Sequence, residues 1–244
     1  MKCVILAAGY ATRLYPLTEN FPKPLLTVQE KPILDWLIED IDRSGLVAQY
    51  VVISNHKFVE HFRKWAGESR YPIAVLDDGT SSNETRLGAV KDIQFAVEEL
   101  SLDDDLLVIA GDNLLDFSLV EFLNYAADKG TSCVMRFSET NVAKLQKCGV
   151  ASVDDTDRIT FMEEKPEVPK DHWICPPFYF YRREDVPLIA EGINAGCGVD
   201  APGNFLAWLV TQTPVYAFEM PGRRYDIGNL ASYEEVQKTF TPLQ

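Results

Sequence analysis

The residues with chemistry to offer stand at the ends of short apolar runs. The first run, Cys3 to Ala8, breaks into Gly9-Tyr10-Ala11-Thr12-Arg13-Leu14. A small-residue turn at the carboxyl end of a first parallel strand is where phosphates bind in open α/β sheets. Small side chains at Ala7, Ala8, Gly9 and Ala11 let backbone N–H groups approach an anion, and Arg13 adds a forked cation matched to phosphate oxygens. The loop is neither a Walker motif nor a complete G-x-G-x-x-G, so a plain tight turn with a surface arginine is its rival reading. Lys23 stands between Pro22 and Pro24, whose rings stiffen the backbone on both sides, and reads as positioned rather than merely solvated. Asp112 follows the apolar run Leu106–Ala110. A carboxylate at the carboxyl end of a strand is better explained by a cation than by packing, with a helix N-cap as the alternative. Asp226 follows Arg223 and Arg224, which makes a salt bridge its bland reading, and Lys165, between Glu164 and Pro166, has the bland reading of a surface lysine in a turn.

The elements that must position these groups follow from apolar periodicity. Runs at Tyr50–Ser54, Ile73–Leu76 and Leu106–Ala110 read with Cys3–Ala8 as buried parallel strands. Ile33-Leu34, Leu37-Ile38 and Ile41 recur at helical spacing opposite Asp35, Glu39 and Asp42, and predict an amphipathic helix ending near Gly45. Phe58–Trp65 and Leu87–Leu100 supply two more helical patterns, so the first half alternates strand and helix as a doubly wound α/β domain does. Beyond Gly111 a helix is expected over Leu119–Asp128 and strands over Ser132–Arg136, Gly149–Val153, Ile159–Glu163, Phe178–Tyr181 and Val215–Phe218, a mixed pattern. With no repeat or linker, one domain is expected, with residues 1–112 forming one functional half and 113–244 the other.

Composition narrows the class. The chain has 244 residues, 46% of them hydrophobic, and a formal net charge of -14. Such a charge repels phosphate backbones and argues against nucleic-acid binding. No apolar run approaches the ~20 residues of a membrane span or forms a signal-peptide core, so a cytoplasmic protein with no membrane partner is expected. Any phosphorylated ligand must therefore be held by a local cluster of cations and N–H groups with a metal ion. Cys3, Cys133, Cys148, Cys175 and Cys197 are scattered and read as reduced thiols. His56, His61 and His172 share no metal spacing and read as surface residues. Asp103-Asp104-Asp105 reads as a solvated loop, and Asp77-Asp78-Gly79-Thr80 as a turn.

Taken together, Leu6-Ala7-Ala8-Gly9-Tyr10-Ala11-Thr12-Arg13-Leu14 and Pro22-Lys23-Pro24 resemble the amino-terminal signature of the sugar-1-phosphate nucleotidyltransferases, or sugar nucleotide pyrophosphorylases, L-A-A-G-x-G-T-R-L followed by P-K-P. The match runs on in the family's order along nearly the whole chain. Asn83 and Gly88 resemble the base-reading amide and the glycine that admits the ring. Gly111-Asp112-Asn113 resembles the G-D-N metal site, Gly149-Val150 the sugar-contacting Y-G-V, Glu164-Lys165-Pro166 the E-K-P, and Tyr225-Asp226-Ile227-Gly228 the second metal aspartate. The departures are Ala11 for glycine, which leaves the loop intact only if that position avoids φ > 0, Asn83 for glutamine, Cys148 for tyrosine, and Cys175-Pro176-Pro177 for a threonine-glycine pair.

The resemblance implies a Rossmann-like three-layer α/β/α fold with a central mixed, mostly parallel sheet. It also implies an Mg²⁺-dependent enzyme that joins the nucleoside monophosphate of an NTP, thymidine or uridine by family weight, to a sugar 1-phosphate, releasing pyrophosphate. By the same resemblance Leu6, Ala8, Gly9, Tyr10, Ala11, Thr12, Arg13, Lys23, Asn83, Gly88 and Asp112 would bind nucleotide. Gly149, Glu164 and Lys165 would bind the acceptor, Asp112 and Asp226 the metal, and Arg13, Lys23, Asp112, Lys165 and Asp226 would carry catalysis. A homo-oligomer fits this reading. The acceptor-pocket departures keep open a cytidylyltransferase acting on phosphocholine or a polyol phosphate, and a non-catalytic nucleotide or nucleotide-sugar sensor is the rival of another class.

Overall fold

Buried apolar runs set the elements, and a computed structural model describes them over residues 1–242. In chain order they are β1 (Lys2–Leu6), β2 (Thr27–Val28), β3 (Lys31–Pro32), α1 (Ile33–Asp42), β4 (Gln49–Ser54), α2 (Val59–Glu68), β5 (Ile73–Asp77), α3 (Ala89–Glu99), β6 (Leu106–Ala110) and β7 (Asn113–Leu115). There follow α4 (Val120–Lys129), β8 (Cys133–Ser138), α5 (Val142–Leu145), β9 (Gly149–Val153), β10 (Ile159–Glu164), β11 (Trp173–Cys175), β12 (Phe178–Tyr181), α6 (Leu188–Asn194), α7 (Gly203–Leu209), β13 (Tyr216–Glu219), β14 (Arg224–Asp226) and α8 (Leu230–Thr239). They fall into two compact units. The first takes Met1–Arg86, Ala110–Glu121 and the segment from Pro221 onward, and the second takes Leu87–Ile109 and Phe122–Met220. The units therefore do not divide at 112, because 113–121 and the carboxy-terminal segment pack with the amino-terminal residues.

In the first unit β1 pairs in parallel with β4, and β4 with β5. Val4, Ile5, Val51, Val52 and Ile53 are fully buried, the continuous apolar strand that a sheet covered on both faces requires. The α1 helix buries Ile33, Leu34, Leu37, Ile38 and Ile41. Its Asp40 is also buried, but not unpaired: it accepts from Ser118 Oγ at 2.7 Å and from the Leu119 N–H at 2.7 Å. A further core of Leu14, Leu26, Val28, Leu114, Tyr225, Ile227, Val236 and Phe240 gathers the β2–β3 hairpin, the antiparallel β7–β14 pair and α8.

The second unit is mixed. Its β12 lies antiparallel to β6 and β8, β11 antiparallel to β8 and β9, and β9 antiparallel to β10, while β13 runs parallel to β8. The acidic run expected to be solvated is instead partly engaged: Arg183 pairs with Asp103 at 2.6 Å and donates its N–H to Asp105, which also accepts from Arg182. Among the described residues no helix is long and apolar enough to cross a membrane, and no cysteine is joined in a disulfide.

Candidate active site

In the first unit the loop after β1 opens on a cleft of about 190 Å³. Leu6, Gly9, Ala11, Arg13, Lys23 and Asp112 line it, six of the residues the sequence had singled out. Pro24, Ala110, Ile227 and Gly228 complete the wall together with Ala7 and Leu14. Two buried polar residues that carry no family signature hold the loop. Asn55 donates its amide to the Ala8 carbonyl at 2.9 Å and accepts from the Phe58 N–H, and Thr18 Oγ1 donates to the Ala11 carbonyl at 2.8 Å. Both are wholly buried, and nothing in their local pattern marks them, because their partners are backbone carbonyls that only the folded loop brings within reach.

Ala11 does not avoid positive φ: it sits at φ 46°, ψ 41°. The loop keeps its shape at a cost of ~1–2 kcal/mol for a left-handed alanine, offset in part by the Thr18 hydrogen bond. Ala8, Tyr10 and Thr12 do not line the cleft. Tyr10 is buried against Phe58, with ring centroids 6.2 Å apart, so any role these three have in holding a phosphate falls to their backbone.

The buried Lys23 ammonium lies 2.6 Å from Asp112 Oδ2. Burial pushes the Asp112 carboxyl upward, but the Lys23 charge, aided by Arg224, outweighs it and holds the group below the usual carboxylate range. Asp112 Oδ1 accepts from Asn113 Nδ2 at 3.1 Å. Asp226 is opposite Asn113 in the β7–β14 register and is more exposed than Asp112. Its bland partner is present too, since Arg224 Nη2 lies 4.0 Å from Asp226 Oδ2. Among the described residues no three His, Cys, Asp or Glu side chains form a metal-binding group. The donor set on offer is two carboxylates, which suits Mg²⁺, a hard cation that fills its shell with substrate phosphates and water. Asn83 is exposed, and its amide oxygen accepts from Arg86 Nη1 at 2.9 Å.

The remaining predicted residues belong to the second unit. Gly149 opens β9, where its register partner is Glu164, the last residue of β10. The Glu164 carboxylate is wedged between glycines: a Cβ on Gly203 would overlap Oε2, and one on Gly149 would come within 2.9 Å of it. Burial raises the Glu164 carboxyl to about 7 against the opposing charge of Lys165. Lys165 adopts φ 50° and reaches to within 3.5 Å of Asp200. Gly88, at φ 95°, leaves no room for a Cβ because the Val199 carbonyl sits there, and Ala89 and Val90 donate to the Asp200 and Val199 carbonyls. Its smallness thus seats the Val199–Asp200 turn against the start of α3.

Comparison with known proteins gives a concordant picture. A family model described as nucleotidyl transferase matches residues 2–242. A UTP–glucose-1-phosphate uridylyltransferase of Synechocystis sp. is 26% identical over 245 residues, covering 96% of this chain and 61% of its own. A glucose-1-phosphate thymidylyltransferase of Streptomyces antibioticus is 31% identical over 202 residues, covering 80% of this chain and 52% of its own. The chain spans about half to three fifths of the length of several curated relatives that it matches. The solved structure of a UDP-glucose pyrophosphorylase complexed with UDP-glucose superposes with a TM-score of 0.81 at 18% identity, over 97% of this chain and 96% of that one, a likeness of fold.

Proposed function

Since the chain belongs to the nucleotidyl transferase family, we propose that it transfers a nucleoside monophosphate from an NTP to a sugar 1-phosphate, releasing pyrophosphate and leaving an NDP-sugar. The observation that carries the reading is the cleft after β1, which Arg13, Lys23 and Asp112 line together with the small-residue loop. The relatives named above act on glucose 1-phosphate, which supports the acceptor class.

The nucleophile needs no activation. A phosphomonoester has its second pKa near ~6 and is nearly dianionic at neutral pH, so no general base is required. The obstacle is the repulsion between that anion and the α-phosphate, and catalysis of such transfers rests on in-line positioning and charge stabilisation. Arg13 neutralises the departing pyrophosphate, and Lys23, held among buried groups, serves the α-phosphate or the pyrophosphate. Glu164 holds an acceptor hydroxyl, and Lys165 takes the acceptor phosphate. Asp112 and Asp226 would hold Mg²⁺, which when bound supplies charge neutralisation for the phosphates. Direct attack inverts configuration at the α-phosphorus.

The test is pyrophosphate release with Mg²⁺ from dTTP, UTP, CTP, ATP and GTP in turn, against a panel of sugar 1-phosphates with phosphocholine and glycerol phosphate. Release that requires one NTP together with one sugar 1-phosphate is expected. Release with phosphocholine or glycerol phosphate alone would move the acceptor class, and tight nucleotide binding without any reactive pair would replace the enzyme by a sensor. Asp112→Asn should lower turnover by several powers of ten with little change in fold, since the lost charge matters most as phosphate charge redistributes. Near-normal turnover in that variant would remove Asp112 from the site.

A further inference from the structure

Arg224 stands behind Asp112 in a chain of hydrogen bonds that passes through Asn113. It stands two residues before Asp226 in β14, so the two side chains leave the same face of the strand. Its Nη1 donates to Asn113 Oδ1 at 2.6 Å, and its Nη2 lies 4.0 Å from Asp226 Oδ2. Asn113 is almost fully buried. With its amide oxygen given to Arg224, its Nδ2 hydrogens go to Asp112 Oδ1 at 3.1 Å and to the Ala110 carbonyl at 3.3 Å. The guanidinium therefore sets which way the Asn113 amide points, and the amide holds Oδ1 of Asp112 while Lys23 takes Oδ2.

We propose that Arg224 is a positioning residue that orients Asp112, through Asn113, for the divalent cation that Asp112 and Asp226 would share. The inference rests on the proposed metal role of those aspartates and goes beyond it. Ligating carboxylates are fixed by hydrogen bonds from residues behind them, and loss of such a partner costs roughly 10–100-fold in metal affinity. The work calls for a fork. A guanidinium presents N–H groups in two fixed directions at once, whereas a lysine ammonium offers a mobile point charge. Charge alone predicts the opposite sign, because a cation beside two carboxylates competes with a metal for them.

The experiment titrates the whole chain with Mn²⁺ and follows the loss of the free-ion EPR signal, with no turnover involved. Arg224→Lys, which keeps the charge and loses the fork, should bind Mn²⁺ about 10-fold more weakly. Asn113→Ala should lose a similar factor with Arg224 intact, and the double variant should lose little more, since both act along one chain of bonds. Circular dichroism and melting of each variant establish that the protein measured is folded, and either single variant suffices should the other fail to fold. Unchanged or tighter Mn²⁺ binding by folded Arg224→Lys, or full losses that add in the double variant, would overturn the inference. Asp112→Asn separates it from the reading beneath: if this variant binds Mn²⁺ as the unaltered chain does, or if the unaltered chain binds none, the metal assignment falls and the inference with it.

Discussion

Two residues of the proposed site, Ala11 and Glu164, carry a folding cost that a substitution can relieve. Ala11 occupies the left-handed region at φ 46°. Replacing it by glycine removes a cost of ~1–2 kcal/mol and adds back ~0.5–1 kcal/mol of unfolded-chain freedom. Ala11→Gly should thus raise the unfolding free energy by up to about 1.5 kcal/mol, read as a higher urea midpoint at unchanged slope. An equal or lower midpoint would mean that the Thr18 clasp has already relieved the strain. Glu164, whose carboxyl is raised to about 7 by burial, gives a pH signature. The fold favours its protonated form, so stability is highest below its unfolded value of 4.5 and falls as pH rises toward 7. Glu164→Gln removes that penalty and should stabilise the protein by about 3 kcal/mol at pH 8, with no gain at pH 4. A gain independent of pH would contradict the titration. At this scale the sequence revealed the groups with intrinsic charge and a motif, Arg13, Lys23 and Asp112. It could not reveal Asn55, Thr18 or Gly203, whose importance lies in a carbonyl or carboxylate brought close by folding.

Elements with strong period were legible, and those made by partnership were not. The β1, β4 and β6 strands and α1 stand where apolar runs and an amphipathic stripe place them, because their burial is written into their own residues. The two- and three-residue strands β2, β3, β7, β11 and β14 are too short to show a period. They exist because of their partners: β14 carries Arg224-Tyr225-Asp226, of which only Tyr225 is buried. Helix α8 was missed for a related reason, since it buries only Val236. What it lacks in apolar stripe it makes up in anchoring. Asn229 and Ser232 form a capping box at its start, and Tyr233 and Gln237 donate to the Thr27 carbonyl of the β2–β3 hairpin, at 2.7 and 2.6 Å. The helix thereby joins the segment after Asp226 to the segment after Lys23. Asn229→Ala should cost about 1 kcal/mol of stability and should increase amide exchange in both α8 and the hairpin. Faster exchange in α8 alone would show that the hairpin stands without it.

The whole chain is acidic, at -14, yet the proposed phosphate site gathers Arg13 and Lys23 into one cleft, so local placement of cations rather than net charge would decide which anions bind. Composition showed the first of these facts, and the motifs in which Arg13 and Lys23 stand pointed to the second. Organisation was less legible. The sequence suggests halves that meet at 112, but the first unit recruits 110–121 and the segment from Pro221 onward. A β7–β14 pair and a carboxy-terminal helix leave no local trace of which distant strands they join. The unit's secondary core makes the consequence testable. Of its residues, Leu14, Leu26, Val28 and Ile33 precede 112, while Leu114, Tyr225, Ile227, Val236 and Phe240 follow it. A fragment of residues 1–112 would expose the first group to water, and at ~1.5–3 kcal/mol for each large side chain buried the loss is comparable to the whole ~5–15 kcal/mol by which a domain is stable. That fragment, expressed alone, should show no cooperative thermal transition, whereas a chain joining 1–86, 110–121 and 221–242 through short Gly-Ser linkers should melt cooperatively. A cooperative transition in the 1–112 fragment would mean that the parallel strands β1, β4 and β5 with α1 and α2 are self-sufficient, and that the carboxy-terminal segment completes the site without being needed to build the unit that holds it.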